Sequence, residues 1–311
     1  MTSTSLRPYS RPEAPVIATS ILIIVRLQSS LYKIYQQTRL FRQLSHNVHL
    51  SAFLLLFFIM KIVKLGGSAI TYKKGYRRAR SGKIRELAKA MASLWKEGER
   101  NLVLVHGAGS FGHAVVLRHR INEGVHGDAQ RLGFADAHAS CSELSLIVVK
   151  ELIAQGVPAV SIPPAAVLRQ DNRRISEFRK EIIFDYLESG FLPVLYGDMV
   201  PDSSLGGSVC SGDQIMARLA GKDDVLVFVT NVGGVVDDRG NIIPEISAAN
   251  FPEVSKHLRT ARKDVTGAMK GKVEELLGLD TASYIVKADP ERIKAVLKGK
   301  KTICTAIRPG E

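Results

Sequence analysis

The residues of this chain best suited to chemistry sit in two glycine-rich segments, each directly behind an apolar run. One is Val63-Lys-Leu-Gly-Gly-Ser68; the other is His106-Gly-Ala-Gly-Ser-Phe-Gly-His113, which follows Asn101-Leu-Val-Leu-Val105. Glycines after a strand leave backbone N–H groups bare, and a row of such groups cradles phosphate. Lys64 stands inside its apolar strand, where an ammonium is costly unless an anion meets it. The alternative is an edge-strand lysine whose stem carries the charge out to water. His106 follows directly on its strand and reads as structural. His113 falls at the first turn of the next helix, placed to face the same cleft; the alternative is a packing histidine. The Walker pattern GxxxxGK[ST] is absent. Two glycine loops on neighbouring strands suit two phosphate-bearing ligands held face to face.

Three further regions carry candidates. The basic run Tyr72-Lys-Lys-Gly-Tyr-Arg-Arg-Ala-Arg-Ser-Gly-Lys83 holds six positive charges and two tyrosines. It reads as a nucleic-acid patch, a solvated face, or a loop bending over the phosphate cleft with Lys73 reaching in. The third is preferred, because the run begins just after Gly-Gly-Ser and no RRM, KH or helix-turn-helix signal accompanies it. Gly-Asp recurs in Tyr196-Gly-Asp-Met-Val200 and in Cys210-Ser-Gly-Asp-Gln214. Ser211 or Asp213 can cap the helix that follows, whereas Asp198 at a strand's carboxyl end is not explained as a cap. In Lys263-Asp-Val-Thr-Gly-Ala-Met-Lys-Gly-Lys272 a glycine turn precedes a helix. Lys272, one turn in, can reach back to a phosphate, while Lys270 reads as a surface residue.

Alternating elements must position these groups. Short β-branched or leucine-rich runs at 61–65, 101–105, 158–162, 192–198, 223–230, 283–288 and 301–307 read as strands. Amphipathic stretches at 84–98, 143–156, 178–190, 268–279 and 289–299 read as helices, and Asp238-Arg-Gly-Asn241 reads as a hairpin turn. This βαβ rhythm predicts an α/β fold, a three-layer αβα sandwich with a largely parallel central sheet. The glycines gather at the carboxyl ends of strands, where open α/β sheets bind ligands.

The chain has 311 residues, 45% of them apolar and 23% charged, and a net charge of +13, which favours anionic partners. Three cysteines, Cys141, Cys210 and Cys304, show neither CxxC nor metal spacing, as expected for free thiols in a reducing compartment such as the cytoplasm. Residues 1–59 differ from the rest, with five Arg, one Lys and one Glu around two apolar runs, 16–25 and 50–60. Each run is shorter than the ~18–20 residues that span a bilayer. Met60 reads as the start of a compact domain running to 311. Residues 1–59 then form a basic, apolar extension, either upstream sequence or a poorly ordered segment. The alternative is a membrane or targeting segment.

Together and in this order, the motifs VKLGGSAIT, HGAGSFGH, PVLYGD, SGDQIMA and DVTGAMKGK resemble the amino acid kinase superfamily, and within it the isopentenyl phosphate kinases. The resemblance runs from Met60 to about Arg308. Its specific feature is His113: carbamate, acetylglutamate and uridylate kinases share the glycine loops without that histidine, and fosfomycin kinases have it. The resemblance implies a homodimer that uses ATP and Mg2+ to phosphorylate isopentenyl phosphate, with an acceptor half at about 60–200 and a nucleotide half at about 201–311. It implies that Lys64, Gly66, Gly67 and Ser68 contact the ATP phosphates and that Lys73 steadies the transferring group. Ala108 and His113 would hold the acceptor phosphate, with Gly197 against the substrate. Gly109, Ser211, Asp213, Gly267 and Lys272 would complete the ATP site. Three positions depart from the pattern: Ala108 replaces a glycine, Asn231 and Gly233 replace the aspartates of Thr-Asp-Val-Asp-Gly, and Ala268 replaces a second glycine.

A phosphate monoester has a second pKa near ~6 and is already nucleophilic at neutral pH, so such a site requires positive charge and positioning rather than a carboxylate base. No protein cage for magnesium is legible, which suits a metal held by phosphates and water. Neither a nucleic acid nor, for residues 60–311, a membrane is an expected partner. The rival readings are a kinase of the same fold for another phosphate or phosphonate, such as fosfomycin, and a non-catalytic nucleotide- or nucleic-acid-binding protein.

Overall fold

The computed structural model describes residues 59–72, 75–258 and 266–309. Lys73 and the extension up to residue 58 lie outside the described residues. Strands that are apolar on both faces belong in the middle of a covered parallel sheet. Lys61–Leu65 (β1) and Leu102–His106 (β2) are of that kind, and they pair in parallel with Leu65 opposite His106. Val225–Thr230 (β9) flanks β1 on its other side, also in parallel. The sheet is completed by Ala159–Ser161 (β3), Leu192–Tyr196 (β6), Glu245–Ile246 (β10), Ala282–Lys287 (β11) and Cys304–Ile307 (β12). The order is β10-β12-β11-β9-β1-β2-β6-β3. Only the β11–β12 pairing is antiparallel, so one edge of the sheet runs against the rest.

Helices cover both faces. Ser81–Lys96 (α2), Asp128–Ala154 (α4) and Pro290–Leu297 (α10) pack on one. Lys180–Glu188 (α6), Gly212–Leu219 (α7), Phe251–Leu258 (α8) and Thr266–Leu277 (α9) pack on the other. Three short helices lie at loop positions: Gly67–Ile70 (α1), His113–Arg118 (α3) and Pro164–Val167 (α5). Strand alternation then assigns Lys64 a face. Val63 and Leu65 join the core under α2, while Met60 and Ile62 join the core under α7, so Lys64 points toward α7 and α9.

Two hairpins complete the fold. Leu168–Asp171 (β4) pairs with Arg174–Phe178 (β5), and Asp198–Val200 (β7) pairs with Ser208–Cys210 (β8). Asn172 and Arg173 form the first turn with φ of 46° and 65°, the paired positive values of a tight hairpin turn. The expected hairpin near 238–241 is present as a bridge between Val236 and Ile242.

α4 begins at Asp128, well before the expected 143. Residues 128–142 lack an apolar stripe, and the start is fixed instead by Gln130, whose Oε1 accepts the N–H groups of His126 (2.7 Å) and Gly127 (3.2 Å). Small buried residues, Gly133, Ala137, Ser140 and Cys141, let this half of the helix approach the second glycine loop closely. Among the described residues, α4 alone is long and apolar enough to cross a membrane. Its Leu144, Val148 and Leu152 are buried in the core beneath α2.

Candidate active site

The two glycine loops lie side by side because β1 and β2 are neighbours. Each loop is rooted in an adjacent strand: Gly66 N–H donates to Val229 O (2.8 Å), Gly107 N–H to Leu65 O (2.9 Å) and Gly197 N–H to His106 O (2.8 Å). The loops then meet backbone to backbone. A Cβ on Gly67 would stand 2.5 Å from Gly109 N, and one on Gly107 would stand 2.7 Å from Gly67 N. Thr71 pins the contact, its Oγ1 donating to Gly67 O (2.8 Å) and accepting from Ser110 N–H (3.1 Å). Gly109 has φ +52°, and its missing side chain would fall 2.1 Å from Thr71 Oγ1.

Bare donors gather around this contact. The first N–H groups of a helix have no acceptor within it, and Gly67, Ser68 and Gly212 occupy such positions. A side chain on Gly197 would begin 3.6 Å from Ala108 N and Gly212 N, and equally from Cys210 O. Two backbone nitrogens from different elements therefore converge on a space that any Cβ would begin to fill. That is the form of a phosphate cradle.

Beneath the loops lies a chain of charges. Lys64 Nζ donates to Asp213 Oδ2 (2.6 Å), and Lys272 Nζ stands 3.1 Å from Asp213 Oδ1. Lys272 also lies over the Phe228 ring at 5.1 Å. Burial pushes the Lys64 ammonium down to about 8, against the opposing pull of Asp213. Burial alone would raise the Asp213 carboxyl, but the charges of Lys64 and Lys272 outweigh it and hold Asp213 below the usual carboxylate range. Two ammonium groups share the Asp213 carboxylate under the cradle, and the charge of Glu275 also acts on Lys64.

Ser211 and Asp213 divide the roles left open between them. Ser211 Oγ accepts Gln214 N–H (3.2 Å) and caps α7. Asp213, two residues on, bridges the lysines. Lys270 pairs with Glu274 at the surface (3.6 Å), as read. Lys272 stands nearly two turns into α9, which starts at Thr266 and carries Gly267 at its second position. His113 is the first residue of α3 and is exposed. His106 is fully buried and stacks on Tyr196 at 5.3 Å, and burial lowers its pKa to about 4. A neutral, stacked imidazole agrees with a structural role.

The Asn231 departure has a local consequence. Its Nδ2 donates to Ser68 O (2.8 Å), and its Oδ1 lies 3.4 Å from an Arg80 nitrogen. An aspartate cannot donate to that carbonyl, so the asparagine ties the β9 loop directly to the first glycine loop. Sequence reasoning passed over Thr71 and His138. Thr71 lies one helical turn beyond Gly67, which is a legible signal. His138 lies in the half of α4 that has no apolar stripe, so nothing in the pattern marked it.

Beyond the second loop, Val115, Ile121, Ala137 and Met199 form a small apolar cluster, with Val116, Val125 and Phe134 against it. It lies between α3, the first half of α4 and β7.

Glycine loops at the carboxyl ends of central parallel strands, above a cluster in which buried Lys64 meets half-buried Asp213 and Lys272, define a phosphotransferase on an open αβα sandwich. Residues 60–279 match the amino acid kinase family, and the chain belongs to that family. Isopentenyl phosphate kinase of Thermoplasma acidophilum is 32% identical, the match covering 80% of this chain and 100% of that one. The enzyme of the same name from Methanothermobacter thermautotrophicus is 34% identical over 80% of this chain and 98% of its own. A solved isopentenyl phosphate kinase structure superposes with a TM-score of 0.66 at 32% identity, covering 80% of this chain and 99% of that one. Carbamate kinase from Giardia lamblia, at 15% identity and a TM-score of 0.60, shares the fold.

Proposed function

We propose that this chain transfers the γ-phosphoryl group of ATP to isopentenyl phosphate, giving isopentenyl diphosphate and ADP. The observation that carries the reading is the pair of interlocked glycine loops above Lys64, Asp213 and Lys272, supported by relatives of that name across nearly their whole length. An oxygen of the acceptor's phosphate attacks the γ-phosphorus, the bond to the β,γ-bridging oxygen breaks, and ADP leaves with the electron pair. The acceptor is already an anion at neutral pH, so no residue has to remove a proton.

On this reading Gly66, Gly67 and Ser68 present backbone to the ATP phosphates, with Gly109, Gly267 and the helix start at Ser211 around the nucleotide. Lys64 and Lys272, held apart and oriented by Asp213, neutralise charge on the transferring group. Lys73 adds to it from the basic loop. Ala108 N–H, His113 and the space at Gly197 take the acceptor phosphate, and the apolar cluster of Val115, Ile121 and Met199 takes the hydrocarbon tail. The residues fit a magnesium–nucleotide complex, since Ala108 N and Gly212 N converge at Gly197 and Lys64 and Lys272 flank the carboxylate of Asp213. A metal there would supply charge neutralisation on the polyphosphate, with phosphate and water as its chief ligands. The catalytic unit spans 60–311 as a cytoplasmic homodimer, its acceptor half ending near 200.

A coupled ADP-release assay across isopentenyl phosphate, dimethylallyl phosphate, geranyl phosphate and fosfomycin tests this directly. Isopentenyl phosphate should give the highest kcat/KM; preferred turnover of fosfomycin, or none on any phosphate, overturns the reading. His113→Ala should raise the KM for the acceptor at least about tenfold, as expected for losing a hydrogen bond to a charged group. The KM for ATP should stay within about twofold. Equal effects on both would remove His113 from the acceptor side.

A further inference from the structure

A buried carboxylate with no assigned task lies next to the acceptor cradle. Asp198 follows Gly197 directly, and its side chain is 0% exposed. It accepts from Met199 N–H (2.8 Å) and from His138 Nδ1, whose distances to the two carboxylate oxygens are 2.9 and 3.0 Å. A desolvated carboxylate is costly unless a cation meets it, and His138 is the basic residue in contact with it. The hydrogen bond to Asp198 raises the His138 pKa. Burial raises that of Asp198, opposed by His138.

The dyad is more than a structural pair because of what surrounds its open end. His138 is 36% exposed, and among the described residues its Nε2 has no hydrogen-bond partner. One helical turn along α4, the Cys141 sulfur would lie 3.4 Å from a Cβ on Gly112, within the second glycine loop. The residue before His138, Ala137, and the residue after Asp198, Met199, both belong to the apolar cluster proposed for the tail. His138 thus stands where the phosphate-binding loop gives way to the apolar cluster.

We propose that His138, held by Asp198, is a second histidine of the acceptor site, donating from Nε2 to the phosphate monoester where its tail begins. This rests on the functional reading above. A cation at that point favours a monoester dianion over a carboxylate or a neutral alcohol, so the dyad acts on acceptor choice as well as affinity. The other titratable groups facing Asp198 are Cys141, Tyr196 and Cys210. Burial holds all three neutral at physiological pH, with Tyr196 and Cys210 each pushed up to about 12. Arg77, whose charge acts on Cys141, is engaged by Asp136. His138 is therefore the group here whose charge responds to pH near neutrality.

The test is kinetic and spectroscopic. His138→Ala should raise the acceptor KM about tenfold, the scale of one charge-assisted hydrogen bond, with the ATP KM within about twofold. Asp198→Asn should let the His138 pKa fall toward its ordinary value of about 6.5, so the acceptor KM penalty grows between about pH 6 and about pH 8. An acceptor KM within about twofold of wild type for His138→Ala across that range, with an unchanged circular dichroism spectrum, overturns the proposal. The comparison is made on whichever phosphate monoester the wild type turns over, so a wrong tail assignment is separable from a wrong role for His138. Independent of turnover, wild-type protein with 13C-labelled histidine is titrated with inorganic phosphate. A further rise in the His138 pKa supports the proposal; a response confined to His113 overturns it.

Discussion

Lys64→Met will remove most phosphoryl transfer, about 10²–10³-fold in kcat, while leaving thermal stability within a few degrees of wild type. The two halves of that result share one cause. The Lys64 ammonium is buried, and burial lowers its pKa to about 8. A buried charge of this kind is maintained at a cost to the fold and is useful only when phosphates arrive. Methionine fills nearly the same volume without that cost, and Asp213 keeps Lys272 at 3.1 Å. The pH dependence follows with a definite sign. The unfolded chain holds the Lys64 proton up to about 10.5 and the native chain releases it near about 8, so wild-type stability gains from Lys64 as pH rises between those values. The variant lacks that gain. Activity runs the other way: kcat/KM falls above about pH 8 as the free enzyme loses the Lys64 charge, and bound phosphates move the corresponding limb of kcat to higher pH. Lys64→Arg should not rescue turnover, since Lys64 Cε already lies 3.1 Å from where a Cβ on Gly212 would stand and a planar guanidinium is broader. Turnover of the methionine variant within about threefold of wild type would remove Lys64 from the chemistry.

Lys64 also shows what sequence pattern can and cannot deliver. Its placement in an apolar strand ahead of Gly-Gly was enough to mark it as a lysine awaiting an anion. The partner in this structure, Asp213, lies far along the chain, and only the packing of α7 against β1 joins them. The strands were legible because apolar runs bounded by glycine have few other uses. The first half of α4 was not, because its helical start depends on one glutamine accepting two backbone N–H groups and its inner face is made of small residues. His138 was hidden for the same reason, since a histidine in a helix without a stripe carries no signal until Asp198 is found beside it. Asp198 itself is legible, as an aspartate at a strand end that no cap explains. The α8 helix, by contrast, is short and starts behind Asn250, whose side chain accepts Ser247 N–H, a local bond that periodicity does not report. Long-range polar pairs and short capped helices are decided by packing geometry, and that geometry is where the sequence reading stopped.

Gly67→Ala should damage this protein far out of proportion to its one added methyl group. The new Cβ would lie 2.5 Å from Gly109 N and 2.7 Å from Gly109 Cα. Both are backbone atoms, so no side chain can swing aside. One loop must move, and neither moves alone. Gly66 N–H is tied to Val229 O and Gly107 N–H to Leu65 O, while Thr71 bonds to both loops at once. Overpacking a rigid contact of this kind costs about 1–3 kcal/mol, and each kcal/mol lowers Tm by roughly 2–4 °C in a domain of this size. A fall of about 2–12 °C is therefore expected. Activity should fall further than stability, because the displaced amides at Ser68, Ala108 and Gly109 serve both phosphates and a 1 Å misplacement costs about 10²-fold. The KM values for ATP and for the acceptor should rise together, unlike those of His113→Ala or His138→Ala. That joint response follows from the backbone contact itself: the two phosphate sites share a wall with no side chain in it. A Gly67→Ala enzyme with wild-type Tm and only one KM altered would show that the loops bind their ligands independently.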